Sequence, residues 1–225
     1  MIIEIPLIGE EGFELRKRSA NYLDRYAITT GAERGSLSQQ GSGLLAEIVV
    51  RHYLKFPKVE DDPDRHTNLG YDILLPNGVK IDVKCRGGKM PFIEAYDGKG
   101  TLKREAKHNF FARQIYDDKL DTDIYLMTHL LVAGEGELPG TIRQRKWCLY
   151  VCGWVSKDRV KREGVYLERG SITERAESWF AYRDPEVEFY QRNLNGLNNI
   201  QDILNITNEM VNKDSLRDVQ KLFFS

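Results

Sequence analysis

The sequence predicts an α/β fold built around a central mixed β-sheet that is flanked by helices. Two observations predict this class. Segments of helical and strand character follow one another in the order helix, hairpin, strand, helix, strand, strand. Residues 122–132 are apolar on both faces, which is typical of a central strand covered on both sides. At 225 residues, the chain is long enough to bury a sizeable core.

The first 42 residues form the first of three expected parts. They contain a short apolar strand, residues 2–8, a helix over residues 12–26, and a polar loop rich in glycine and serine. The second part, residues 43–162, starts with a helix over residues 44–56 whose apolar side chains fill one side. Glu47 lies just outside this apolar stripe, so we expect its side chain to face a cleft rather than bulk solvent.

The rest of the second part alternates between helix and strand. Residues 101–120 predict a helix, and residues 147–155 predict another strand after the buried one. Ser156 has the residue type and the position of an N-cap for a short helix over residues 157–162. These elements complete the predicted sheet and its covering helices.

The third part, residues 163–225, is predicted to be a helical extension. Apolar residues after position 194 recur at spacings that indicate one or two amphipathic helices. Such helices either pack on the core or join two copies of the chain. A homodimer through the C-terminal helices is therefore one expected assembly.

Composition favours a cytoplasmic protein. The longest apolar runs are shorter than a membrane span needs, and the N-terminus carries acids where a signal peptide requires basic residues. The three cysteines form neither a CxxC pair nor an even disulfide set. The net charge is −1, yet residues 143–162 are strongly basic. This stretch is either a nucleic-acid contact face or a solvated surface.

A β-hairpin in residues 70–86, GYDILLPNGVKIDVKCR, carries the most informative pattern. A two-residue loop at Asn77-Gly78 would mix charged and aliphatic side chains on both faces. A three-residue loop that includes Pro76 instead places five aliphatic side chains on one face, namely Ile73, Leu75, Val79, Ile81 and Val83. The other face then carries Asp72 directly opposite Asp82, together with Lys84. Burial selects this three-residue loop.

Two opposed carboxylates repel each other, so a hairpin with only a structural role gains nothing from them. A divalent cation removes this repulsion, and carboxylate oxygens are ligands that Mg²⁺ prefers. The bound ion could polarise a phosphoryl oxygen and activate water, and the lysine could stabilise developing charge. The alternative is a solvated polar face on which Lys84 and Lys80 neutralise the acids. The hairpin alone leaves both interpretations open.

Three features occur in order along the chain: Glu47 on a helix, Asp72 at the start of a strand, and Asp82-Val83-Lys84 on the next strand. In this pattern the sequence resembles the PD-(D/E)xK nuclease superfamily. The resemblance covers about residues 43–132 and implies a restriction-endonuclease-like core. It implies that Asp72, Asp82, Glu47 and the backbone carbonyl of Val83 hold Mg²⁺, for which Mn²⁺ substitutes. Lys84 would be the catalytic lysine. This sequence has Tyr71 where the family often has proline, and aspartate where glutamate is more frequent.

The same resemblance implies further site residues and a function. Some members carry Gln or Lys near the site on the following helix, which makes Gln114 and Lys107 candidates. The expected activity is Mg²⁺-dependent DNA cleavage, most simply by an endonuclease, with residues 29–43 and 143–162 contacting the DNA backbone. The alternatives are a non-catalytic nucleic-acid-binding protein of the same fold, and a Holliday-junction resolvase or exonuclease of the superfamily.

Overall fold

The computed structural model describes residues 2–26, 37–62, 70–88, 95–96, 102–104, 106–134, 145–175 and 178–217. Its helices are α1 (Gly9–Tyr26), α2 (Leu37–Tyr53), α3 (Ala112–Tyr116), α4 (Lys157–Glu163) and α5 (Asn208–Ser215). Its strands are β1 (Ile3–Pro6), β2 (Ile73–Leu74), β3 (Lys80–Gly88), β4 (Ala95–Tyr96), β5 (Leu102–Arg104), β6 (Lys107–Phe111), β7 (Ile124–Gly134), β8 (Arg145–Ser156), β9 (Val165–Leu167), β10 (Ile172–Arg175), β11 (Ser178–Ala181) and β12 (Glu186–Tyr190). No helix within these ranges is long and apolar enough to cross a membrane.

Five strands form a mixed central sheet in the order β1-β8-β7-β3-β2. The pair β3 and β7 is parallel, and the other neighbours are antiparallel. The predicted α/β class with a mixed sheet flanked by helices is therefore confirmed. The early strand and helix, the buried strand β7 and the strand β8 all lie where the sequence predicts them.

Both faces of the central sheet are covered. Helix α2 packs on the face that carries Ile81 and Val83, where it contributes Leu45, Ile48 and Val49 to the larger core. A second sheet, in the order β6-β12-β9, lies with α3 and α4 on the opposite face. Strand β7 contributes alternate side chains to both cores, because successive residues of a strand point to opposite faces.

The hairpin has the register of the three-residue loop. Ile73 pairs with Ile81, the amide of Leu75 donates to the carbonyl of Val79 at 2.9 Å, and Gly78 has a φ of +88°. A left-handed φ of this kind is one that glycine adopts without a steric penalty. All five predicted aliphatic side chains of the hairpin are buried.

Residues 101–120 differ from the helix predicted for them. They contain β5 and β6, and only the five residues of α3 are helical. Side chains of β6 are alternately partly exposed and buried, which is the pattern of a strand with one covered face. Its partner β12 lies about 80 residues further along the chain, so its pairing was invisible to local sequence patterns.

The C-terminal part also differs from a purely helical extension. Residues 165–190 form four strands, and after them come two short 3-10 helices and α5. Helix α5 is held to the core by Asp214, whose carboxylate accepts hydrogen bonds from Arg159 at 2.9 Å and from the amide of Ser156 at 2.8 Å. Helix α5 therefore packs on the core, one of the two predicted alternatives.

Within the predicted basic stretch, the described side chains of residues 157–162 have structural partners, and residues 143–144 lie outside the described part of the chain. Arg159 is buried between Glu163 and Asp214, and Arg162 donates to the carbonyls of Ser215 and Arg217. Lys157 donates to two carbonyls of the loop before β7. Ser156 caps α4 as predicted, since its hydroxyl accepts the amide of Arg159. Within residues 157–162, Lys161 remains the most exposed of the cations with a described side chain.

Candidate functional site

Asp72 ends the pairing of β2 with β3 rather than extending it. The ladder includes Ile73 and Leu74 but not Asp72, whose amide donates to the carbonyl of Ile81 at 2.8 Å. Its carboxylate accepts the amide of Val83 at 2.8 Å and so replaces the next backbone bond of the ladder. The predicted strand pairing of Asp72 with Asp82 is therefore corrected, although the two carboxyl groups still meet through a hydrogen bond.

Asp82 and Lys84 form an ion pair on the face of β3 opposite to Val83. The lysine ammonium lies 2.6 Å from a carboxylate oxygen of Asp82, and the two side chains retain 19% and 15% of their exposure. Tyr125, the neighbour of Asp82 on β7, places its ring 5.8 Å from the ammonium. The pair is thus shielded by the protein but still reachable by a small ion.

The carboxyl group of Asp82 has a strongly perturbed pKa. Burial raises the pKa of Asp82 to about 6, the charge of Lys84 opposes this shift, and the charge of Asp72 and a hydrogen bond that protonated Asp82 donates to Asp72 add to it. In the absence of a bound cation, the carboxyl group of Asp82 therefore holds a proton more tightly than an ordinary carboxyl group does. A cation placed between Asp72 and Asp82 would displace that proton.

We expect the Asp82 carboxyl group to titrate near pH 6 in metal-free protein. Because its pKa in the unfolded chain is about 3.9, ionisation of Asp82 costs folding free energy. This cost is fully present above about pH 6 and is absent below about pH 4. Carbon-13 NMR of the labelled carboxyl group measures the midpoint.

Two variants test whether neighbouring charges shift the pKa of Asp82. Asp72→Asn removes a like charge and should lower the midpoint, whereas Lys84→Met removes an opposite charge and should raise it. A wild-type midpoint near pH 4, unmoved by either substitution, would show that the carboxylates are solvated and independent.

Glu47 is buried in α2 and has a cationic partner. Arg51, one turn later, donates to its carboxylate at 3.0 Å, and each side chain is only 3% exposed. Arg51 also binds the carboxylate of Asp62 at 2.8 Å and the backbone carbonyl of Asp72. Glu47 is therefore linked to Asp72 through Arg51, which binds the carboxylate of one and the backbone carbonyl of the other.

The two candidates from the segment before β7 also have structural partners. Gln114 lies in α3, where its side-chain oxygen accepts the amide of Phe111 at 3.2 Å and so caps the helix. Lys107 lies in β6, with its ammonium 3.0 Å from the carboxylate of Glu188. Neither side chain has a described contact with Asp82 or Lys84.

Two residues that the sequence did not assign complete the surroundings of the site. The sequence showed Arg51 only as a basic residue one helical turn after Glu47. Its contact with the backbone of Asp72, 21 residues later, could not be predicted from the local sequence. Tyr125 occurs in a run of apolar strand residues, so its position beside Lys84 depends on the parallel pairing of β3 with β7.

The backbone of Val83 completes the set of oxygen donors. Its amide points to the edge of β3 where Asp72 lies, and in a strand the carbonyl of the same residue points to the same edge. Among the described residues, no group of three or more His, Cys, Asp or Glu side chains could hold a metal ion. Glu47, Asp72 and Asp82 therefore do not form a three-carboxylate centre as placed.

The oxygen donors along this part of β3 are the carboxylates of Asp72 and Asp82 and the carbonyl of Val83, and oxygen donors of this kind suit a hard cation that keeps several waters. No protein-family model matches the chain, and neither a curated protein nor a solved structure is significantly similar to it, so its resemblance to PD-(D/E)xK nucleases rests on its own residues.

Proposed function

We propose that this protein is a Mg²⁺-dependent DNA nuclease, most simply an endonuclease, that hydrolyses phosphodiester bonds at Asp72, Asp82 and Lys84. One observation carries the proposal. Asp72 raises the pKa of the neighbouring Asp82 carboxyl group, and the ammonium of Lys84 lies 2.6 Å from Asp82. Such an arrangement costs folding free energy without a cation, which indicates a binding role.

The residues fit Mg²⁺ by their chemistry. This ion is commonly bound through one or two carboxylates and keeps the rest of its shell for water and phosphate oxygens. Asp72, Asp82 and the Val83 carbonyl would hold it, and Mn²⁺ has the same preference for oxygen. Glu47 would contribute indirectly, since Arg51 holds both its carboxylate and the backbone at Asp72.

When bound, the ion would lower the pKa of water and polarise a phosphoryl oxygen. Lys84 would supply a positive charge beside the scissile phosphate, where negative charge develops during hydrolysis. The ring of Tyr125, 5.8 Å from the Lys84 ammonium, would limit the positions that this group can take. Asp82 thus has two roles, since it would share the ion with Asp72 and orient Lys84.

A non-catalytic DNA-binding protein is the second candidate. The observation that favours it is the close pairing of Lys84 with Asp82, because this pairing already neutralises one carboxylate. In that case the polar face of the hairpin is structural, and DNA binds without being cut.

The decisive experiment incubates the protein with supercoiled plasmid, linear duplex and a four-way junction, in Mg²⁺, Mn²⁺ or EDTA. We expect nicked and linear plasmid with either metal and intact plasmid in EDTA. Cutting of linear duplex alone would favour an exonuclease, and cutting of the junction alone a resolvase. DNA binding without cutting in either metal would favour the second candidate and overturn the first.

A further inference from the structure

An open cavity of about 750 Å³ lies next to α3. It is formed where the end of β6, helix α3, strand β9 and the loop before β12 come together. The amide of Ala112 donates to the carbonyl of Pro185 at 2.9 Å and so ties two of its walls together. Its volume is within the range of pockets that bind small organic molecules.

Aromatic rings dominate the walls of this cavity. Tyr116 and Tyr166 are 40% and 49% exposed, and their ring centroids are 6.0 Å apart at an angle of 69°. Phe111 adds a third ring. Large exposed aromatic side chains grouped around one cavity are unusual unless a ligand or partner covers them. The walls are therefore suited to a flat, unsaturated ring.

The charges at the cavity suit a ring that carries an anionic group. The guanidinium of Arg113 lies 5.5 Å from the ring of Phe111, and the ammonium of Lys161 lies 5.9 Å from the ring of Tyr116. Lys161 is 3.7 Å from the carboxylate of Asp118, and both side chains are well exposed, so this pair is weak. A phosphate could bind Lys161 without displacing a buried partner of this residue.

One acidic side chain, that of Asp184, also lines the cavity. A carboxylate repels phosphate but accepts hydrogen bonds from the exocyclic amino group of a base, as it does from cytosine in DNA grooves. The combination of stacking rings, cations and one carboxylate is therefore chemically suited to an unpaired nucleotide whose base carries an amino group.

The cavity is connected to the candidate site by α3. The carbonyl of Gln114 in this helix accepts the hydroxyl of Tyr125 at 2.7 Å, and the ring of Tyr125 lies 5.8 Å from the ammonium of Lys84. A DNA strand held at Lys84 would reach the cavity by passing over Tyr125 and α3, which lie between the candidate site and the cavity.

We propose that this cavity binds an unpaired base of single-stranded DNA from the strand that is cleaved, with the ring of Tyr116 as the stacking surface and Tyr166 packed edge-to-face against it. The proposal rests on the proposed function for cleavage of that strand, while binding of the unpaired base requires no cleavage. Base stacking on aromatic side chains tolerates all four bases, and Asp184 adds a preference for cytosine over thymine.

Fluorescence anisotropy with labelled 12-nucleotide dC and dT strands and a 12-base-pair duplex, all in EDTA, tests this binding. We expect the order dC, then dT, then duplex for wild type. Tyr116→Ala should weaken dC binding at least about fivefold, as expected for the loss of one stacked base, whereas Tyr116→Phe should retain it. Asp184→Asn should reduce the difference between dC and dT.

Phe13→Ala is the matched control, because Phe13 is an exposed ring beside an arginine on α1. It should change the affinity for dC less than twofold. The proposal is overturned if the wild type binds duplex as tightly as dC, or if Tyr116→Ala binds dC as wild type does. Asp82→Asn should retain dC binding, so loss of cleavage with intact binding separates a failure at the metal site from a failure at the cavity.

Discussion

Replacing Asp82 with asparagine is expected to lower the rate of DNA cleavage at least about a hundredfold. The amide cannot replace the charge of the carboxylate, so both the cation and the orienting partner of Lys84 are lost. A catalytic ion contributes several kcal/mol to the barrier reduction, and each ~1.4 kcal/mol corresponds to a factor of ten in rate. Initial rates of plasmid nicking at saturating Mg²⁺ give the measurement.

Asp121→Asn is the matched control for this substitution. Asp121 also pairs with a lysine of β3, with its carboxylate 2.5 Å from the ammonium of Lys80, but its side chain is 61% exposed. This variant has the same change in charge and should cleave at the wild-type rate. Equal rates for Asp82→Asn and wild type would place the chemistry elsewhere, provided that circular dichroism shows both proteins folded.

The hairpin shows how far a short sequence can predict geometry. Two criteria, burial of all aliphatic side chains on one face and the turn preferences of Pro76 and Gly78, were enough to select the register. Both are local, since the two strands are separated by three residues. The same criteria could not show that Asp72 leaves the ladder, because its carbonyl is held by Arg51 from another element.

Long-range pairing explains what the sequence could not predict. The strand β6 is completed by β12, so the residues around Lys107 have a partner that no local window contains. The local sequence pattern at these residues favours a helix, so a helix was predicted. Strand formation depends on tertiary contacts that a local pattern does not contain. The same pairing helps to build the aromatic cavity, which therefore has no sequence motif of its own.

Glu47 shows a different limit of prediction from sequence. Its position at the border of the apolar stripe correctly predicted a side chain turned away from bulk solvent, and it is 3% exposed. The helical spacing also placed Arg51 beside it, as i,i+4 neighbours face each other. Spacing could not decide whether the carboxylate serves a metal or an arginine, because both need the same buried position.

Replacing Arg51 with methionine is expected to lower the free energy of unfolding by about 3–5 kcal/mol, which is the typical cost of breaking a buried ion pair. The substitution leaves the carboxylate of Glu47 buried without its cation, and it removes the donor to the carbonyl of Asp72. Urea denaturation in EDTA measures the loss without any contribution from bound metal. Arg18→Met, which removes the partner of the more exposed Glu60, should cost about 1 kcal/mol or less.

The double variant Glu47→Leu, Arg51→Met should recover much of this loss, because the fully buried carboxylate of Glu47 is removed together with its cation. Glu47→Gln then separates the two roles of Glu47, since it retains an oxygen for Arg51 but removes the charge that a metal would need. If Glu47 acts through Arg51, this variant should bind Mg²⁺ with wild-type affinity, as measured by calorimetric titration. A tenfold or greater loss of affinity with unchanged urea stability would instead make Glu47 a direct ligand of the ion.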